Sequence, residues 1–393
     1  MTAPNSVGHG VVASREAILR ILQVIEASLG GTRRYVEDIF NACDGTRHDN
    51  GIVYASARAD EAFMLLLERM RSSGWQIFHL DLRREVDLRK DLPHAWQLRK
   101  IFDRFKPDIV HAHSSKAGAI VRLANIGRRP RANIVYTPNA VAVHLGFKYV
   151  LIERALSTQL DILAAVTESE RREIRSLGIV HDRKIRVVAP TIRADYFEPR
   201  SKRDARDTLG YGDEPRIVTV GRLAPQKDPL GFLEIVRHLQ REIADIRATW
   251  VGDGELRAAM DARIKELALT DVVSITGWTT DVRPYLAASD VFVSSSAYES
   301  FGYVTAEALA MSRPVIASRI NGTIDIVTLD TQQCLYELKD YGRAATATAE
   351  LLRDAMLAND IAHRGRERVL AAFSPSTTRR ELFLAYEDAM CAK

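Results

Sequence analysis

Two glutamates, Glu299 and Glu307, stand eight residues apart in the stretch Ser294-Ser-Ser-Ala-Tyr-Glu-Ser-Phe-Gly-Tyr-Val-Thr-Ala-Glu. If a strand ends here, a turn follows at Gly302 and a helix then starts, Glu299 falls in the turn and Glu307 in the first helical turn. Both carboxylates can then face a crevice beside a helix N-terminus. Carboxylates so placed accept hydrogen bonds from vicinal hydroxyls of a sugar or ribose. Glu307 taken alone can equally be a favourable charge at a helix start.

A second cluster lies in Val220-Gly-Arg-Leu-Ala-Pro-Gln-Lys-Asp-Pro, where Arg222 and Lys227 follow an apolar run. Two fixed cations at such a loop can neutralise a departing diphosphate, Arg through bidentate contact and Lys as a point charge. Solvated surface cations are the commoner reading of such residues. Gly30 and Gly31 precede a helix in Glu26-Ala-Ser-Leu-Gly-Gly-Thr-Arg-Arg and would let backbone amides approach a phosphate. His111 and His113 share one face of a strand, but no third metal ligand can be identified, which leaves strand-end packing or substrate contact. Lys116, just after Ser114-Ser115, can meet an anion at a helix start, where either serine can instead be a cap.

Several chemistries lack their sequence signs. There is no G-x-G-x-x-G; the nearest match, Gly252-Asp-Gly254, has Arg257 at the third glycine. There is likewise no P-loop, G-x-S-x-G elbow or Asp-x-Asp pair. NAD, FAD, NTP and serine-hydrolase chemistry lose support accordingly.

The elements that would position these residues alternate between strand and helix. Apolar runs at Ile18–Ile25, Ile52–Ala55, Trp75–Leu80, Ile109–His113, Asn133–Thr137, Ile162–Val166 and Ile185–Val188 read as parallel strands separated by helices. A polar stretch from 190 to 213 reads as a linker. Alternation resumes with strands at Ile217–Val220, Ala248–Val251, Val272–Thr276, Val291–Ser294 and Pro314–Ala317, and helical sequence fills 341–390. The expectation is an α/β chain of two Rossmann-like, doubly wound domains facing across a cleft, with ligands outside the carboxyl ends of the strands.

At 393 residues and 46% hydrophobic, the chain has ample material for two cores, and its three scattered cysteines form no disulfide framework. No window holds the 18 or so uninterrupted apolar residues of a membrane span, and Met1–Arg15 lacks the apolar core of a signal peptide. The expected location is cytoplasmic, peripheral at the inner face of the membrane. Residues 1–200 carry 31 basic against 23 acidic side chains, and the remainder 24 against 28. That excess fits an anionic surface or substrate, or simple solvation. Arg83, Arg84, Arg89 and Lys90, with Leu82, Leu88 and Leu92, are the candidate contacts to an anionic membrane.

In order along the chain, the Gly30-Gly31 turn, Gly221-Arg222 with Lys227, and the Glu299–Glu307 pair resemble retaining glycosyltransferases of family four, which have the GT-B fold. Val251-Gly-Asp-Gly-Glu-Leu-Arg, Thr276-Gly-Trp, Ala288-Ser-Asp-Val-Phe-Val-Ser-Ser-Ser and Pro314-Val-Ile-Ala-Ser add to the likeness. Asp108-Ile-Val-His-Ala-His-Ser-Ser-Lys-Ala-Gly and Val135-Tyr-Thr-Pro-Asn look like bacterial members that build lipopolysaccharide, exopolysaccharide or capsule.

The resemblance implies an acceptor-binding domain at 1–195, a nucleotide-sugar domain at 196–375, and a final helix, 376–393, crossing back to the first. It implies that Arg222 and Lys227 bind the donor diphosphate, Gly31 gives a backbone contact, Glu307 holds the ribose and Glu299 contacts the donor sugar. Gly30, Trp278, Ser300, Phe301 and Gly302 join the donor site. His113, Lys116 and Asn139 are candidate sugar or acceptor contacts. Arg222, Lys227 and Glu299 are the implied catalytic residues.

The partners implied are a nucleotide diphosphate sugar, UDP-linked first and GDP-mannose second, and a glycan or lipid-linked acceptor. Neither nucleic acid, cofactor nor metal is expected. A sugar-nucleotide 2-epimerase and a noncatalytic sensor are the rival readings. The chain departs from the family pattern at Asn139, where many relatives have His, at Ser312, where Gly is favoured, and at Asn321-Gly-Thr-Ile-Asp325, where Gly-Gly-x-x-Glu is usual.

Overall fold

The computed structural model describes residues 18–83, 88–139, 147–327 and 334–392. Among them, two parallel sheets form. The first holds β1 (Arg20–Ile25), β2 (Asp49–Tyr54), β3 (Gln76–His79), β4 (Ile109–His113), β5 (Asn133–Thr137), β6 (Ile162–Ala165) and β7 (Ile185–Val187) in the order β3-β2-β1-β4-β5-β6-β7. The second holds β8 (Arg216–Val220), β9 (Arg247–Val251), β10 (Val273–Ile275), β11 (Val291–Ser294), β12 (Val315–Ser318) and β13 (Leu335–Tyr336) in the order β10-β9-β8-β11-β12-β13. Strand order reverses between β1 and β4, and again between β8 and β11. Such switch points open crevices at the carboxyl ends of the strands.

Around the first sheet lie α1 (Gly30–Cys43), α2 (Glu61–Ser72), α3 (Leu88–Phe105), α4 (Ser115–Asn125), α5 (Phe147–Leu156) and α6 (Glu168–Ser176). The rest of the chain adds α7 (Lys202–Leu209), α8 (Pro229–Gln240), α9 (Arg257–Glu266), α10 (Arg283–Ala288), α11 (Tyr303–Ala310), α12 (Thr323–Ile326), α13 (Tyr341–Arg353), α14 (Ala355–Ala372) and α15 (Pro375–Cys391). Strands sandwiched by helices must be apolar on both faces, which is why β4, β5, β11 and β12 are buried throughout.

The polar stretch expected as a linker contains α7, an amphipathic helix with a Ser201 cap and a Gly210 stop in the left-handed region. It packs on α10, and its Arg206 bonds Asp290 at 2.8 Å beside the start of β11. A charged face had hidden a helix that buries only Ala205 and Arg206.

The last helix, α15, packs against α1, β5 and β6 of the first sheet. Its anchor is Tyr386, whose hydroxyl accepts from Gln23 Nε2 at 3.1 Å and meets His111 Nδ1 at 3.0 Å. His111 Nε2 meets Thr137 Oγ1 at 2.9 Å and His113 Nε2 meets Gln23 Oε1 at 2.8 Å. Burial lowers the pKa of both histidines, His113 to about 3, so both rings stay neutral. Removing the hydroxyl in Tyr386→Phe would leave buried partners on β1 and β4 unsatisfied, at about 1–3 kcal/mol. A lower urea midpoint is the expected result; an unchanged one would show that the network does not hold α15.

Candidate active site

The second sheet's switch point brings together two loops distant in sequence. After β8 the chain turns through Gly221 and Arg222 into a short 3-10 turn, Pro225–Lys227, and after β11 it runs through Ser295 to Gly302 into α11. The loops are sewn together by Ala297 N–H to Gln226 O at 2.8 Å, Gln226 Nε2 to Tyr298 O at 3.2 Å, and Ser295 Oγ to Lys227 O at 2.9 Å. Lys227 Nζ donates to Glu299 Oε1, which also accepts from Ser296 Oγ at 2.9 Å.

Gly252-Asp-Gly254 has a packing role in this arrangement. A Cβ on Gly252, whose φ is +137°, would lie 2.2 Å from Gly221 O, and one on Gly254 would lie 2.5 Å from Leu223 O. The two glycines let the loop after β9 press against the loop carrying the cations.

Arg222 and Lys227 part company here. Lys227 faces Glu299, whereas Arg222 is half exposed and bonds Glu255 at 3.0 Å. Glu307 sits one turn further into α11 than the sequence spacing suggested, as the fifth residue of the helix, and is buried. Ser300 O accepts from Thr167 Oγ1 at 3.1 Å, Phe301 is buried against Tyr303 and Phe373, and Gly302 precedes α11 at φ +99°. Trp278 is 70% exposed in the loop after β10. The pocket between these loops, lined by Lys227, Ser294, Ser296, Glu299, Gly302 and Thr305 among others, has about 10 Å³ of free volume, roughly one water.

Across the cleft, α1 starts at Gly30, φ +64°, with no side chain capping its first turn. Gly31 faces Tyr303, whose ring would be 3.8 Å from a Cβ there. Of the remaining candidates, His113 is buried in the Tyr386 network with Nδ1 unbonded. Lys116 is buried and paired with Asp91. Asn139 follows β5 in the left-handed region at φ +54°, a conformation that Asn tolerates, and its buried Nδ2 has no hydrogen-bond partner. No group of three or more His, Cys, Asp and Glu suited to a metal occurs among the described residues.

Sequence reasoning missed the residues that join the two halves. Arg34 Nη2 donates to Glu307 Oε1, and its guanidinium lies 4.1 Å from the centre of the Tyr303 ring. Tyr303 OH donates to Asp38 Oδ2 at 3.0 Å, and Thr191 N–H donates to the same oxygen at 3.0 Å. The signal was present as i,i+4 spacing: Arg34 and Asp38 share one face of α1, Tyr303 and Glu307 one face of α11. A second seam lies at α6, where Ser169 N–H donates to Asp325 Oδ2 at 3.0 Å and Asn321 Nδ2 to Glu173 Oε2 at 2.9 Å.

Burial raises the Glu307 pKa, and Arg34 and then Lys227 act against that rise. Burial pushes Asp38 up to about 7 despite the Thr191 amide, Arg34 and Tyr303. The folded chain therefore keeps a proton that the unfolded chain releases near pH 4, so this group's contribution to stability is full at low pH and is lost as pH rises from about 4 to about 7. Asp38→Asn should accordingly gain stability relative to the parent between pH 5 and pH 8, read from urea midpoints. A gap constant with pH would show that Asp38 titrates normally.

The geometry has clear relatives. Residues 214–354 match the model of glycosyl transferases group 1, and residues 30–191 that of the glycosyl transferase 4-like domain. The chain is 30% identical over 311 residues to the UDP-Gal:alpha-D-GlcNAc-diphosphoundecaprenol alpha-1,3-galactosyltransferase of Escherichia coli, covering 75% of this chain and 78% of that one. It is 26% identical to the lipopolysaccharide core biosynthesis glycosyltransferase LpsD of Rhizobium meliloti, over 91% of this chain and 94% of the other. The Anabaena HepE protein, crystallised with UDP and glucose, superposes with a TM-score of 0.80 at 17% identity, over 94% of this chain and 99% of that one. With two parallel sheets, loops meeting at the second switch point and a final helix returned to the first sheet, the chain belongs to the group 1, family-four-like glycosyltransferases of GT-B fold.

Proposed function

We propose that this glycosyltransferase moves a sugar from a nucleotide diphosphate sugar to a hydroxyl of a glycan or lipid-linked acceptor in bacterial surface-polysaccharide synthesis, with retention at the anomeric carbon. The observation that carries the reading is the Lys227–Glu299 contact at the switch point, with Glu307 on the helix that follows. A UDP-sugar is the first choice of donor and GDP-mannose the second. Support comes from the UDP-Gal and diphosphoundecaprenol in one relative's name and from the UDP bound to HepE.

In this reading Lys227 and Arg222 take the diphosphate, the amides at Gly30 and Gly31 contact it, Glu307 holds the ribose hydroxyls, and Glu299 with the Ser300–Gly302 turn holds the sugar. Trp278 lies toward the base, and Asn139 supplies an uncharged amide where many relatives carry His. Arg222 must exchange Glu255 for phosphate, and because that pair is exposed and screened by water it holds Arg222 only weakly. As the anomeric C–O bond breaks, its electron pair leaves with the diphosphate. The acceptor oxygen bonds to the same face, and its proton passes to a departing phosphate oxygen. Fixed cations carry the neutralisation, so turnover should persist in a chelator.

Incubation with UDP-glucose, UDP-galactose and GDP-mannose in EDTA, with NMR of the product's anomeric configuration, tests donor, stereochemistry and metal independence together. An inverted product would overturn retention. Arg222→Ala and Lys227→Ala should each lower turnover by about two to three powers of ten, the scale for losing one preorganised electrostatic donor. Normal turnover in both would remove them from the site.

The acceptor side belongs, on this reading, to the more basic first half at a membrane face. Leu82 is buried and takes no part in insertion, a correction to the sequence expectation, whereas Leu92 and Trp96 on α3 are each 59% exposed. Lys100 lies 3.5 Å from the centre of the Trp96 ring, and Arg83 and Arg89 are exposed nearby in sequence. Arg84 and the side chains of Leu88 and Lys90 lie outside the described residues. Basic residues near an anionic leaflet contribute about 1 kcal/mol each. Cosedimentation with phosphatidylglycerol vesicles is expected, weakened by salt and by Trp96→Ser; equal binding to neutral vesicles would exclude this surface.

A further inference from the structure

The pair formed by Arg34 and Glu307 has no part in the donor reading as it stands. Glu307 is buried at the cleft, yet its charge partner comes from the other sheet's helix, α1, four residues after Gly30. Arg34 engages Oε1 alone, and no hydrogen bond among the described residues reaches Oε2. The guanidinium is held in turn, stacked on Tyr303, whose hydroxyl is bonded to Asp38 one turn further along α1.

We propose that Arg34 is a positioning residue of the donor site: it holds Glu307 Oε1 from across the cleft and leaves Oε2 aimed at the ribose hydroxyls of the nucleotide. The proposal rests on the reading of Glu307 as the ribose ligand.

An ionised carboxylate accepts a hydroxyl more strongly than a neutral carboxyl, and a buried carboxylate keeps its charge only beside a cation. The charged and titratable groups around Glu307 are Arg34 and Asp38 on α1, Tyr303 on α11 itself, and Lys227 with its partner Glu299 on the two loops. From α14, Arg366 bonds Ala310 O at the far end of α11. Lys227 bonds Glu299 and acts on Glu307 only through space, whereas Arg34 is bonded to Glu307 directly. Without it, burial drives the carboxyl further toward its neutral form, and only higher pH restores the charge.

Calorimetric titration of the full chain with UDP and with 2′-deoxy-UDP, from pH 6.5 to 9, tests this. Arg34→Gln should weaken UDP about tenfold at pH 7, the loss of one charge-assisted contact, with recovery toward pH 9. It should also shrink the difference between UDP and 2′-deoxy-UDP at pH 7, while Arg34→Lys restores most of it. A merely structural role would move neither the pH profile nor the deoxy difference. Unchanged UDP affinity in Arg34→Gln at every pH overturns the proposal, and so does tighter binding, which would make Arg34 an obstruction. Should Arg34→Gln lose its fold by circular dichroism, Arg34→Lys carries the test: a parental deoxy difference supports the proposal, and loss of that difference in the folded variant overturns it. Glu307→Gln separates the two readings. If the deoxy difference survives in that variant, the ribose assignment itself falls; if it vanishes while Arg34→Gln is silent, only the role of Arg34 falls.

Discussion

An ion pair between Arg34 on α1 and Glu307 on α11 joins the two halves of this molecule. It joins the helix that follows the first strand of one sheet to the helix at the switch point of the other. Glu307 is buried while the Arg34 side chain is 31% exposed, so removing Arg34 would strand the carboxylate, whereas removing Glu307 would leave a guanidinium that water still reaches. The neighbouring Tyr303–Asp38 hydrogen bond and the Arg34–Tyr303 stack lie on the same two helix faces, so the pair is held in position rather than left to sample rotamers. Here, and at the seam between Ser169 and Asp325, the two walls of the cleft touch.

The departures from the family pattern become intelligible from the contacts and backbone at each position. Asp325, where Glu is usual, receives the Ser169 amide and hydroxyl at the start of α6, and Gly322 N–H donates to the same Ser169 hydroxyl at 3.0 Å. The shorter carboxylate serves as a cap for a helix of the opposite half, forming the second seam. Ser312, where Gly is favoured, has φ +55°, a left-handed conformation that explains the preference and that Ser adopts here at some cost. At Asn139 the chain again turns left-handed, which suits Asn.

Buried polar networks divide the labour between stability and chemistry. His111 and His113 have the spacing of paired ligands, but their ring nitrogens face Tyr386, Thr137 and Gln23, and they fasten α15 to the first sheet. Lys116 likewise turns inward to Asp91. Of the other basic side chains discussed, Arg222 bonds Glu255, Lys227 bonds Glu299 and Arg34 bonds Glu307.

The sequence by itself determined the fold class and the motif loops. Strand runs such as Ile109–His113 and Val291–Ser294 must be apolar because both their faces are covered, and glycines such as Gly252 must be glycine because backbones meet there. Those demands are local and leave a local trace. Amphipathic α7 was harder to see because it buries so little, and a charged face reads like a linker. Only the tertiary structure decided that Arg34 reaches Glu307, that Asp325 caps α6, and that Arg222 and Lys227 point to different partners. These pairs are separated by as many as 273 residues along the chain, and a charge in sequence carries no mark of which distant charge will neutralise it. That choice is made when two sheets pack and burial leaves each ionised group with one partner within reach.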